Sequence, residues 1–153
     1  MRGAKTVLMG VLLAALLMAA VPLTAGASSS GASSDEMRRT LLSLTNSARR
    51  SHGVHALDLN WRLSRDALQH SRRMAESHTV FHTTNLYRLI RPWHPSIWGE
   101  NVGMGSTVTR VQRLFMHSSA HRSNILRSRF SKVGIGALRR GGNLWVTVVF
   151  YGR

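Results

Sequence analysis

The stretch VGIGALRRGGNLWVTVVFY, residues 133–151, decides the fold. Residues 133–138 and 144–151 are rich in β-branched and aromatic side chains, and Arg139, Arg140, Gly141, Gly142 and Asn143 between them supply the glycines of a tight turn. That pattern predicts a C-terminal antiparallel hairpin.

Upstream, apolar residues recur at helical spacing. Met37, Leu41, Leu44 and Ala48 form the stripe of an amphipathic helix, opened by a capping box at Ser33 and Glu36 and carrying an Arg-rich outer face. Residues 51–60 contain Gly53 and read as a connection. Leu63, Ala67, His70, Met74 and His78 repeat the stripe in a second helix. Pro92 and Pro95 restrict residues 83–96 to short regular pieces. Residues 97–105 resemble a strand. Ser106 is the expected N-cap of a third helix with Val108, Val111, Leu114 and Phe115, ending near His117, and a short helical turn follows through His121 to Leu126. Helices first and a terminal hairpin last predict an α+β fold, with helices layered on a small sheet.

At the other end, Arg2 and Lys5 precede an uncharged, mostly apolar run at residues 6–25 and the triplet Ala25, Gly26, Ala27. This order predicts a signal peptide at 1–27, cleaved after Ala27. Its strongly apolar part, residues 7–23, is shorter than the roughly 20 residues of a spanning helix. The absence of a following cysteine excludes a lipid-modified terminus. The Ser/Gly/Ala stretch 28–34 is expected to be a flexible linker, and 35–153 one compact domain.

The chain has 21 Lys and Arg against 6 Asp and Glu. Without Arg2 and Lys5 the remainder has 19 against 6, a net charge of +13. Such a field favours anionic envelope polymers or lipids. Nucleic acid is not expected, because no recognition motif accompanies the charge. With no cysteine, thiol catalysis, cysteine-ligated metals and disulfides are all excluded, and the core alone must hold the domain.

Five motifs remain: Val80-Phe81-His82, Gly99-Glu100-Asn101-Val102, the run from His121 through Arg122, Ser123, Asn124 and Ile125 to Leu126, Val133-Gly134-Ile135-Gly136, and the run from Trp145 to Phe150. In this order and at these separations the chain, from about Met37 onward, resembles the CAP superfamily, also called SCP-like, and in particular its short bacterial secreted members. The resemblance implies an α/β/α sandwich in which a small central antiparallel sheet is flanked by helices. It also implies a cleft lined by two histidines, here His82 and His121, and by acidic residues, of which Glu100 is one. The second acid has no counterpart, because residues 115–120 contain no carboxylate; His117 or Ser118 stands in its place.

Independently of the family, two imidazoles and a carboxylate form an N,N,O set that suits Zn²⁺ or another divalent metal, with His82, His121 and Glu100 as ligands and one position open. The same residues can instead form a hydrogen-bonded polar cluster with neither metal nor turnover. The leading reading is an extracellular binding module for a lipid, peptide or cell-wall component, its cleft formed by His82, Glu100, His121 and His117. The alternative is a metal-dependent hydrolase of peptide or cell-wall substrates, with Glu100 or His117 as general base. His70 is expected as a satisfied core histidine, His78 as structural, and His52, His55 and His94 as solvated. Asn101 and Asn124 are expected to tie backbone together. Tyr87 and Trp93 are available for stacking on one wall of the cleft.

Overall fold

The computed structural model describes residues 29–153, with side chains from residue 34 onward. The expected signal peptide lies outside the described residues. The elements are α1 (Ser29–Ser51), β1 (Asp58–Leu59), α2 (Trp61–Ser77), α3 (Leu86–Ile90), a 3₁₀ turn (Arg91–Trp93), β2 (Ile97–Gly105), α4 (Val108–His117), α5 (Ser119–Leu126), β3 (Lys132–Arg140) and β4 (Asn143–Gly152).

β3 and β4 form the predicted hairpin, with Arg140 opposite Asn143, and the turn narrows to Gly141 and Gly142, both at positive φ. β2 pairs antiparallel with the far side of β4, giving the order β1-β3-β4-β2. The sheet is not wholly antiparallel, since β1, within the expected connection, runs parallel to β3 through Asp58 and Leu59.

Every residue of β4 from Leu144 to Gly152 is buried, because the strand is central and both of its faces are covered. Leu144, Val146, Val148 and Phe150 join Val133, Ile135 and Ala137 in a core shared with Met37 and Leu41 of α1, Val111 and Phe115 of α4 and Ile125 of α5. On the opposite face Trp145, Val149 and Tyr151 meet Leu63 and Met74 of α2 and Ile90 of α3. Helices thus cover both sheet faces. α2 lies almost on the sheet backbone, and Gly134 and Gly136 make room for it: a Cβ on Gly136 would run into the Ala67–Leu68 peptide.

Three boundaries and the burial of two arginines differ from the sequence expectation. α1 starts at Ser29, so it takes in residues 29–34 of the expected linker and places Ser33 inside the helix instead of at its cap. Extending a helix already nucleated by the packed Met37 stripe is easier than starting one, and Ser34 is itself buried. Thr107, not Ser106, caps α4, its side chain accepting from the Arg110 N–H at 3.1 Å. The turn around His121 is a full helix, α5. On α1, Arg38 and Arg49 are buried and do not belong to the outer face. Arg38 Nε donates to the Ile135 carbonyl at 3.0 Å, serving the edge of β3 beyond the end of β1.

Arg49 is fully buried. Its guanidinium donates to the carbonyls of His55 (2.7 Å), Ile125 (2.6 Å), Arg127 (3.0 Å) and Phe130 (2.9 Å). Burial lowers its pKa. The charge is neutralised by carbonyl dipoles, two of them at the C-terminal end of α5, where a cation is favoured. One side chain thereby fixes the position of α5 against α1.

Candidate functional site

α2 ends where His78 turns into the left-handed region at φ 52°, with its N–H bonded to the Met74 carbonyl. The chain then doubles back along α2. His70 secures that return: its ring meets Phe81 edge-on at 5.1 Å and its Nε2–H donates to the Phe81 carbonyl at 2.8 Å. Its Nδ1 accepts from Arg73 at 3.2 Å, so both ring nitrogens are used. His70 is a satisfied core histidine, and it also positions the residue after Phe81, which is His82.

His82 Nδ1 donates to Glu100 Oε2 at 2.8 Å. The same oxygen accepts the Thr83 N–H at 2.9 Å, and Oε1 accepts the Thr83 hydroxyl at 2.6 Å. The carboxylate is nearly buried, whereas the His82 side chain is 64% exposed. By accepting at Nδ1 the carboxylate fixes the imidazole proton there, leaving Nε2 free toward solvent. Thr83 was missed from sequence; the available signal was a hydroxyl residue directly beside a candidate ligand.

His121 reaches the site from α5. Asn101 of β2 donates to the His121 carbonyl at 3.0 Å, while Asn124 donates to the Glu100 carbonyl at 3.1 Å and to Asn101 Oδ1 at 2.9 Å. These two asparagines tie the free edge of β2 to α5, in the role the sequence reading gave them. The His121 ring packs on Phe115 at 4.9 Å between centroids. Burial chiefly, and the charge of His82 secondly, hold its pKa below the ordinary 6.5. It is therefore neutral at pH 7.

The structure brings His82, Glu100 and His121 into one region of the surface, yet not as the expected trio of ligands. Among the described residues no three His, Asp or Glu side chains converge closely enough to hold an ion together. Glu100 instead orients an imidazole, its two oxygens accepting from His82 and Thr83. His117 is exposed on the last turn of α4. Tyr87 stands half-exposed against Trp98 at 5.0 Å, and Trp98 is next but one to Glu100 on β2, so the two rings flank the histidine region. Trp93 does not join them: it packs instead on Tyr151 at 5.8 Å. His55 is not merely solvated, since its Nε2 bonds to the Phe130 carbonyl at 3.0 Å.

Comparisons with known proteins match this architecture. A model of the cysteine-rich secretory protein family, CAP, fits residues 42–151. The uncharacterized protein YkwD of Bacillus subtilis is 29% identical over 122 residues, a match taking in 75% of this chain and 47% of that protein. The chain thus spans about half the length of that curated relative. Among solved structures, an extracellular protein of Bacillus anthracis containing an SCP domain superposes with a TM-score of 0.70 at 20% identity, covering 78% of this chain and 41% of that one. An outer surface protein of Borrelia burgdorferi gives 0.67 at 18% identity, covering 77% and 93%. At these identities the superpositions establish the fold.

Proposed function

Because the chain belongs to the cysteine-rich secretory protein (CAP) family, we propose that it is an exported binding module whose ligand cleft centres on His82 and His121, with Glu100 behind the first imidazole. The observation that carries this reading is the 2.8 Å bond from His82 Nδ1 to Glu100, which leaves an exposed, oriented Nε2 on the solvent side. A cluster serving only to stabilise the fold has no need of a largely exposed imidazole. The neighbouring Tyr87 and Trp98 rings supply apolar surface beside it.

Two imidazoles, one oriented by a carboxylate and the other neutral at pH 7, supply two of the three protein ligands that a Zn²⁺ ion in an open site ordinarily has. His82 and His121 would hold it. When bound, such an ion supplies open coordination positions for an oxygen or nitrogen of a ligand. Glu100 contributes by holding the His82 proton on Nδ1, and its carboxylate lies nearly buried behind that imidazole. This favours binding over hydrolysis.

Calorimetry with Zn²⁺ on the domain from Ser28 onward tests the metal reading. The expected result is a saturable heat that disappears in His82→Ala and in His121→Ala, and weakens by about tenfold in Glu100→Gln, the range seen when a partner that orients a ligand is changed. Equal heats in all four proteins contradict it.

Export rests on the sequence order at residues 1–27 and agrees with the extracellular and surface descriptions of the similar proteins. Among the described residues no helix is long and apolar enough to cross a membrane. Outside the cell the excess of arginine would hold the domain near anionic envelope polymers or lipids.

A further inference from the structure

A hollow lies away from the histidine region, where the start of α2 meets the 3₁₀ turn, the start of β3 and the end of β4. This cavity of about 660 Å³ is lined by Trp61, Arg62, Trp93, Lys132, Tyr151 and Arg153 among others, and no Asp or Glu is among its lining residues. Its volume lies within the usual range for small-ligand sites. Trp61 is 57% exposed although it begins a well-packed helix, and the Arg38 guanidinium backs its ring at 5.2 Å from the centroid. Arg62 lies over the Trp93 ring at 6.0 Å, and Trp93 in turn packs on Tyr151. Asn60 donates to the Tyr151 hydroxyl at 2.9 Å, and Arg153 Nε donates to the Trp93 carbonyl at 3.2 Å. The aromatic floor is thus fixed by partners on several elements before any ligand arrives.

The geometry points to this cavity as a binding site for an anionic saccharide, a chain of sugar units bearing carboxylate or phosphate groups. A flat, supported indole offers a stacking surface for the apolar C–H face of a sugar ring. Arg62, Lys132 and Arg153 offer charge to the acidic substituent, with guanidinium suited to bidentate contact. Lys132 is already paired with Asp58 at 2.9 Å, so Arg62 and Arg153 carry most of the free charge. The excess of +13 over the chain from residue 28 brings such polymers to the surface; this pocket supplies the fixed aromatic and cationic groups that recognise them.

The test is isothermal titration at 150 mM salt with an oligouronate, a sugar-phosphate oligomer, a neutral oligosaccharide of equal length, a single-stranded oligonucleotide and anionic phospholipid vesicles. Binding of at least one acidic saccharide is expected, with affinity falling about tenfold in Trp61→Ala and in Arg62→Gln, and unchanged in His82→Ala and in Arg113→Gln, an exposed arginine on α4 outside the pocket. The carboxylate and phosphate arms show which acid is preferred. Independence from His82 separates this site from the cleft proposed above, since either can fail alone. Equal binding of the neutral oligosaccharide, tighter binding of the oligonucleotide or vesicles, or an equal loss in Arg113→Gln and Arg62→Gln would each overturn the assignment. Circular dichroism of Trp61→Ala confirms that the comparison is between folded proteins.

Discussion

The chemistry of the site rests on which nitrogen of each imidazole carries its proton. Glu100 settles this for His82 by accepting at Nδ1, and partial burial together with the nearby His82 charge keeps His121 neutral. The sign has a consequence for pH. An unfolded His121 takes up a proton near 6.5 and the folded one only at lower pH, so its neutral form favours the fold fully above 6.5, and that contribution is lost as pH falls below 6.5 toward the folded value. In an NMR titration the His121 midpoint is predicted below 6.5, and His82→Ala should raise it partway, because burial, the larger cause, remains. A midpoint at or above 6.5 in the unmodified protein contradicts this account. His82, Glu100 and His121 were legible as candidates from sequence, but their division of labour was not: only the fold shows that Glu100 accepts from both His82 and Thr83.

At the level of elements, the sheet positions the site and the helices deliver its residues. α2 approaches β3 so closely that Gly134 and Gly136 have no space for a side chain, and Ser71 donates from α2 to Thr147 at 2.9 Å across the contact. Gly136→Ala is predicted to destabilise the domain by roughly 1–3 kcal/mol, the range for overpacking a tight contact. A denaturant midpoint equal to that of the parent protein would show that α2 is not seated as described. In the sequence this Gly-x-Gly served only as one of the motifs that carry the family resemblance, because its packing role depends on what crosses over it. The hairpin and the helical stripes were legible since their spacing is local. The start of α1, the two-residue β1 and the burial of Arg49 were not, because each depends on partners distant in sequence, while at α4 the adjacent Ser106 and Thr107 offered equivalent caps.

For the molecule as a whole, three separate segments converge: the return after α2 bonds to the edge strand β2 through Glu100, and β2 bonds to α5 through Asn101 and Asn124. The family resemblance implied that convergence and the fold contains it, while composition alone indicated only a small, basic, cysteine-free domain. Export belongs to this scale as well. Mass spectrometry of the protein recovered from culture medium should give a chain beginning at Ser28, and recovery only as a cell-retained chain still bearing Met1 counts against the signal reading. The central claim, that His82 and His121 face one ligand with Glu100 in support, is tested most directly by the side-chain nitrogen spectra of the histidines during Zn²⁺ addition. The account predicts a protonated Nδ1 on His82 before addition, and saturable shifts of His82 Nε2 and of the unprotonated His121 nitrogen at a shared midpoint, with His52 and His94 unchanged. Shifts spread over all histidines alike, or a His82 and His121 pair that does not respond, would contradict it.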